Sequence, residues 1–222
     1  MSAALETVAR YERDLGASLT RMFENALDWE HLPHVHAKAF SSIELIEERA
    51  SGWRANVGMA GGGQLVINLE VTREADGSGG WTTDSFAEGA LVGRIVTRAT
   101  PRGADRCHVA IEFQAPDVGE KQKAGFDAYY SALYAMLYDE DEAMMIAREA
   151  AVQRGRKGLA ERRKVTLSDG KTAAIPRYCP HLGLPLDAAP DGDGIVTCPW
   201  HGYRFDAATG TCVSGAECGW AV

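Results

Sequence analysis

No stretch of this 222-residue chain approaches the ~20 consecutive apolar residues that cross a bilayer, so no membrane association is expected. Met1–Arg10 carries Glu6 and lacks an apolar core. No secretory leader is therefore expected, and the cytoplasm is the expected compartment. Basic charge is in deficit: 23 Lys+Arg face 31 Asp+Glu, for a formal net charge of −8. Nucleic-acid binders are usually basic, so none is expected as a partner. Internal repeats and low-complexity tracts are also lacking. The glycine runs at Gly61–Gly63 and Gly77–Gly80 do not fit G-x-x-x-x-G-K-[ST], and they separate strand-like segments instead of preceding a helix. That excludes a phosphate cradle there. Cysteine is scarce before residue 179, where Cys107 stands alone. A disulfide framework would be spread more evenly.

What is present is an ordinary globular composition, 45% hydrophobic and 24% charged. Charge divides the chain into three. Residues 1–147 carry net −10, residues 148–164 net +5 and residues 165–222 net −3. The basic stretch Gln153–Lys164 has two glycines and few large apolar residues, and reads as a helix end running into a linker. The expected organisation is a domain over 1–150, a basic linker over 151–164 and a second domain over 165–222.

Leu5, Val8, Leu15, Leu19, Met22, Phe23 and Ala26 recur near a period of 3.6, which predicts an opening helix that Pro33 ends or interrupts. The period then changes to two. Ser42–Arg49, Trp53–Met59, Gln64–Val71, Trp81–Glu88, Leu91–Ala99 and Arg106–Gln114 read as strands separated by Gly- and Pro-rich turns. Helical spacing returns after Asp117, where Phe126, Tyr129, Tyr130, Leu133, Met136, Leu137 and Met144 form an apolar stripe reaching about Arg154. The expected class is α+β: an antiparallel meander crossed by one long helix and enclosing a cavity. Val57, Met59, Ile67, Ile111 and Phe113 serve equally as cavity wall or as core.

Four cysteines, Cys179, Cys198, Cys212 and Cys218, crowd the last 44 residues. Two of them pair with histidines as Cys179-Pro-His181 and Cys198-Pro-Trp-His201, a C-x-H and a C-x-x-H separated by sixteen residues. Two thiolates and two imidazoles suit either a structural zinc ion or an iron–sulfur cluster. Each loop supplies one Cys and one His, whereas zinc fingers usually pair like with like. A Rieske cluster needs this mixed arrangement, with both cysteines on one iron and both histidines on the other. Cys212 and Cys218 fall outside the two boxes and read as buried or free thiols.

The segments CPHLGLPL and CPWHGYRF resemble the two cluster-binding boxes of Rieske [2Fe–2S] domains. Leu184 and Trp200 stand where the respiratory branch carries its extra disulfide cysteines, so the likeness is to the oxygenase and ferredoxin branch. The resemblance implies Cys179 and Cys198 on one iron and His181 and His201 on the other. Further upstream, Glu24, Asp28, His31 and His36 read E-x3-D-x2-H-x4-H, with His34 between. This spacing resembles the mononuclear iron box of Rieske non-heme iron oxygenases, whose iron takes two histidines and one carboxylate and keeps open positions. By that likeness His31 and His36 are ligands. The carboxylate comes from Asp139-Glu140-Asp141-Glu142: Asp141 after Glu140, with Asp139 next in line. The resemblance also gives Asp28 the role of bridging His31 to His201 of a neighbouring subunit, which implies a head-to-tail ring, in this family a homotrimer.

The implied protein is a compact Rieske non-heme iron oxygenase with its domains in reversed order. A helix-grip (START-like) catalytic domain comes first and a small all-β Rieske domain last. An NAD(P)H-dependent reductase, with or without a ferredoxin, would reduce the [2Fe–2S] cluster. The cluster would feed a mononuclear Fe(II) that uses dioxygen to hydroxylate or demethylate a small hydrophobic, aromatic or cyclic substrate. The competing expectation is a ligand carrier with a Rieske electron-transfer module and no mononuclear iron.

Overall fold

The structure is a computed structural model that describes residues 4–214. It divides into two compact units, Met1–Met145 and Ile146–Val222. The first begins with β1 (Leu5–Leu15), α1 (Leu19–Leu27), a 3-10 turn (Trp29–His31) and the short α2 (Leu32–Val35). Six strands follow: β2 (Phe40–Arg49), β3 (Gly52–Met59), β4 (Gln64–Arg73), β5 (Gly79–Ala87), β6 (Ala90–Pro101) and β7 (Cys107–Pro116). These six are the expected meander, each pairing antiparallel with the next.

The opening segment differs from expectation. Leu5–Leu15 is a strand, not a helix, and it pairs antiparallel with β7 to complete a seven-stranded sheet in the order β1-β7-β6-β5-β4-β3-β2. A register shift between Thr7 and Ala9 explains the misleading pattern. One extra residue breaks the two-residue alternation, so Leu5, Val8 and Leu15 fall at helix-like intervals. Pro33 also acts differently. It sits in the first turn of α2, where a missing N–H costs nothing, and α1 has already ended at Asp28.

α3 (Glu120–Arg154) is the long helix, and the division between the units falls within it. In the first unit its core-facing row is Phe126, Tyr130, Tyr134, Tyr138 and Met145, of which Tyr138 and Met145 are buried and the others half-buried against the sheet core. Phe113 of β7 stacks on Tyr130 at 4.2 Å and meets Tyr134 edge-on at 4.6 Å. Tyr129, expected on this stripe, is 58% exposed. It lies one residue off the row. Sheet and helix together make the helix-grip architecture, an α+β fold.

The second unit contains the end of α3, a 3-10 segment (Gly155–Ala160) and two hairpins. β8 (Arg162–Thr166) pairs with β9 (Thr172–Pro176), and β10 (Ile195–Thr197) with β11 (Arg204–Asp206). Residues 151–164, read as a linker, thus hold the last helical turn, the 3-10 segment and the start of β8. The core of this unit is small: Val165, Ile175, Cys179, Leu186, Val196, Cys198, Phe205 and Ala207. Cys218 lies outside the described residues, whereas Cys212 is half-buried against that core.

Candidate metal centres

The first centre is built by α1, α2 and α3. Ser18 caps α1 by accepting the Arg21 N–H, and the helix buries Leu19, Met22, Phe23, Asn25 and Ala26. Its end at Asp28 turns the chain into the short segment that carries His31 and His36. The two imidazoles lie 5.1 Å apart, centre to centre. From α3 comes Asp141, whose Oδ1 lies 3.0 Å from His36 Nε2 and 3.5 Å from His31 Nε2. His31, His36 and Asp141 are only 4%, 2% and 8% exposed, and one ligand atom from each lies within 4.8 Å of the others.

Each histidine has its other ring nitrogen engaged. His31 Nδ1 donates to the backbone carbonyl of Asp28, and His36 Nδ1 donates to Glu140 at 2.8 Å. A proton held at Nδ1 leaves Nε2 as the ligating atom, and both Nε2 atoms converge on Asp141. Asn25 Nδ2 donates to Asp141 Oδ1 at 2.9 Å, fixing the carboxylate from the α1 side. Burial alone would push the Asp141 carboxyl up, but hydrogen bonds and charge from His31 and His36 hold it below the usual carboxylate range. Burial likewise opposes charge on His36, yet the hydrogen bonds and charges of Asp141 and Glu140 raise it. The site thus stabilises positive charge beside a buried carboxylate. Two imidazole nitrogens and one carboxylate oxygen are the donor set of a non-heme ferrous ion, so the residues fit that metal.

The four consecutive acids divide cleanly. Asp139 is 69% exposed and pairs with Arg13 at 2.6 Å, away from the histidines. Glu142 binds the same Arg13 at 2.7 Å and accepts the Gly16 N–H. Glu140 holds His36, and only Asp141 reaches both ring nitrogens. Asp28 lines the same cavity; within the chain its carbonyl, more than its carboxylate at 3.9 Å, engages His31. Asn25 and the role of Glu140 escaped the sequence reading. Asn25 had a signal: it is the one amide on the apolar face of α1. Cys107, 0% exposed, is no ligand, and burial first, then Glu142 and Asp14, pushes its thiol up to about 11.

A cavity of about 130 Å³ adjoins this triad. Trp53, Ile67, Leu69, Trp81 and Leu137 supply apolar wall, while Thr83 and Asn25 add polar groups. Trp53 Nε1 donates to the Ala26 carbonyl at 3.0 Å, which locks one indole in place. Ile67 both lines this cavity and belongs to the core; Val57, Ile111 and Phe113 belong to the core, and Met59 does not line the cavity.

The second centre lies in the second unit. Its two loops repeat one hydrogen-bond pattern. Cys179 N–H donates to the Leu184 carbonyl and Gly183 N–H to the Cys179 carbonyl, both at 2.8 Å. Cys198 N–H donates to the Tyr203 carbonyl at 2.8 Å and Gly202 N–H to the Cys198 carbonyl at 2.9 Å. Gly183 and Gly202 close these turns at φ +73° and +69°, a region that costs other residues strain. The loops bring His181 and His201 to 4.6 Å, ring centre to ring centre. Cys179 and Cys198 are both 1% exposed, and neither forms a disulfide. A hydrogen bond from Cys179, against the effect of burial, draws the Cys198 thiol below its usual range. Two neighbouring thiols and two neighbouring imidazoles, one of each per loop, fit a [2Fe–2S] cluster with mixed ligation.

Comparison with known proteins bears on both units. The Rieske [2Fe-2S] domain family matches residues 140–219. Over 47 residues the chain is 47% identical to a cholesterol 7-desaturase of Bombyx mori, covering 21% of this chain and 10% of that protein. A cholesterol 7-desaturase of Hemicentrotus pulcherrimus is 41% identical over 46 residues, 20% of this chain and 10% of its own. The chain thus spans about a tenth of the length of these curated relatives. Among solved structures, a norcoclaurine synthase point mutant from Thalictrum flavum superposes with a TM-score of 0.51 at 15% identity, covering 67% of this chain and 99% of that one. That likeness concerns the fold alone. The C-terminal part of this chain is a Rieske [2Fe–2S] domain, and a helix-grip fold precedes it.

Proposed function

We propose that this protein is a Rieske-type non-heme iron oxygenase. In this reading Cys179, Cys198, His181 and His201 hold the cluster, and His31, His36 and Asp141 hold a single ferrous ion. The observation that carries it is the convergence of three buried donors, within 4.8 Å of one another, in a chain that also has a Rieske domain. When bound, such an ion supplies dioxygen activation, with electrons delivered one at a time from the cluster.

The chain's own residues do the rest. Glu140 and the Asp28 carbonyl fix the imidazoles, and Asn25 fixes the carboxylate, so that the ligands are set before an ion arrives. The tryptophan-lined cavity would hold an apolar substrate beside them. Its size argues for a small substrate: about 150 Å³ of apolar cavity holds one benzene ring, close to the volume found here. A monocyclic compound fits better than the sterol named for the two relatives. An NAD(P)H-dependent reductase, with or without a ferredoxin, would reduce the cluster. A ring-shaped homotrimer would let Asp28 connect His31 with a neighbour's His201.

Iron counting tests the assignment. Purified protein should hold three irons per chain, two in the cluster and one outside it. His31→Ala should lose one iron and keep the visible spectrum of the cluster. Two irons in the parent, or no loss in the variant, would replace this reading with a carrier bearing a Rieske redox module.

A further inference from the structure

The loop that carries His181 is gripped by the end of α3. Arg148 Nη1 donates to the Leu182 carbonyl at 2.7 Å, and Arg154 Nη2 donates to the Gly183 carbonyl at 2.9 Å. Leu182 and Gly183 are the two residues directly after the cluster histidine. The Arg154 guanidinium also lies 3.7 Å over the ring of Tyr178, the residue before Cys179. Arg154 thereby touches both ends of the Cys179–His181 turn. Between the arginines, one helical turn from each, sits Ala151, 8% exposed. A Cβ at Gly183 would come within 3.1 Å of the Ala151 Cβ. A glycine thus rests on an alanine, flanked by two cations in an i, i+3, i+6 row.

We propose that Arg148, Ala151 and Arg154 form a cradle that positions the His181 loop, and that the two guanidinium charges raise the reduction potential of the cluster. The inference rests on the Rieske domain alone and is independent of the mononuclear iron. On reduction the cluster takes up one electron from a donor and gains one negative charge. Fixed positive charge nearby favours that form. Net charge and hydrogen bonding around the ligands are among the levers that set such potentials. Arginine suits the task because its charge is permanent and its plane can stack on Tyr178 while its N–H groups reach a carbonyl. Both arginines are positioning residues; neither is placed as a cluster ligand.

The test uses the full-length, cluster-loaded protein in two double variants, R148Q/R154Q and R148K/R154K. A dithionite titration followed by visible absorbance and by electron paramagnetic resonance gives the midpoint potential, and far-UV circular dichroism checks the fold. The glutamine pair should show a lower potential, or should shed its cluster to a chelator several-fold faster. The lysine pair, which keeps the charge, should fall less and hold its cluster longer. A glutamine pair with the parent's potential and cluster lifetime overturns the proposal. So do equal changes in both pairs, which would make charge irrelevant, and equal cluster loss from both, which would reduce the arginines to folding residues. The iron count of the first unit is unaffected in every case, so failure here leaves the oxygenase reading standing.

Discussion

Glu140 and Asp139 are neighbours of the same charge in opposite circumstances. Glu140 accepts from His36 Nδ1 at 2.8 Å, whereas Asp139 faces solvent beside Arg13. An exposed ion pair contributes about 0–1 kcal/mol, and a carboxylate holding a ligating histidine affects metal affinity roughly 10–100-fold. On the proposed oxygenase reading, Glu140→Gln should therefore weaken retention of the single iron by about that factor in a chelator competition. Asp139→Asn should leave retention unchanged. Iron loss from the Asp139 variant and none from the Glu140 variant would reverse these assignments. The periodicity of α3 already carries this distinction. Phe126, Tyr130, Tyr134, Tyr138 and Met145 mark the core-facing row of α3, and Asp141 lies in the same register, three residues after Tyr138. An acid in register with an apolar stripe must be buried and needs a cation or hydrogen-bond donors. Asp139 is out of register and solvated. Asn25 follows the same rule on α1, as a lone amide among buried apolar side chains. No such periodicity marks Glu140, because its role depends on where His36 lies in space, 104 residues away in sequence.

Among the elements, β1 and the start of β5 show why a pattern can mislead. The bulge at Thr7–Ala9 turns an alternating strand into a passable helix, and only the partner β7 reveals it. In the run Asp76–Gly80, all read as turn, Gly79 and Gly80 are already paired strand residues. They are glycines for want of space. A Cβ on Gly80 would stand 1.9 Å from the Thr97 carbonyl oxygen of β6 (Ala90–Pro101), and one on Gly79 2.3 Å from the Thr72 carbonyl oxygen of β4 (Gln64–Arg73). Backbone cannot yield there as a flexible side chain could. Gly80→Ala should consequently destabilise the first unit by roughly 1–3 kcal/mol, the range for overpacking, read from the urea midpoint by circular dichroism. Gly61→Ala, where a Cβ meets nothing within 4 Å, is the matched control and should shift it far less. Equal shifts would mean that close packing does not explain the glycine. The meander itself was legible, because strands such as β3 and β7 alternate in burial, Ile43 and Leu45 of β2 pack half-buried on the core, and Gly- and Pro-rich turns separate the runs.

At the scale of the whole molecule, the two units differ in how much burial they command. The first has a continuous core that includes Leu15, Met22, Val57, Ile111 and Phe113, all 2% exposed or less. Among the described residues of the second, one cluster of eight buried side chains forms the core, and two of them are Cys179 and Cys198. Small cores rarely stabilise a fold without a disulfide, a metal or an equivalent staple. With no disulfide among the described cysteines, the size of this core predicts that a bound cluster acts as the staple and adds its binding free energy to the folding of that unit. The two-box spacing made the cluster readable, but dependence of the fold on it follows only from the size of the core. Cys198→Ser should remove one ligand and one staple together. Limited proteolysis of that variant should cut between residues 155 and 214 and leave a resistant fragment containing the seven-stranded sheet. In calorimetry the transition of the first unit should persist while that of the second is lost. A Cys198→Ser protein that resists protease throughout, with both transitions in place, would show that the second unit folds on hairpins and hydrophobic contacts alone. The cluster would then be a guest in a preformed site.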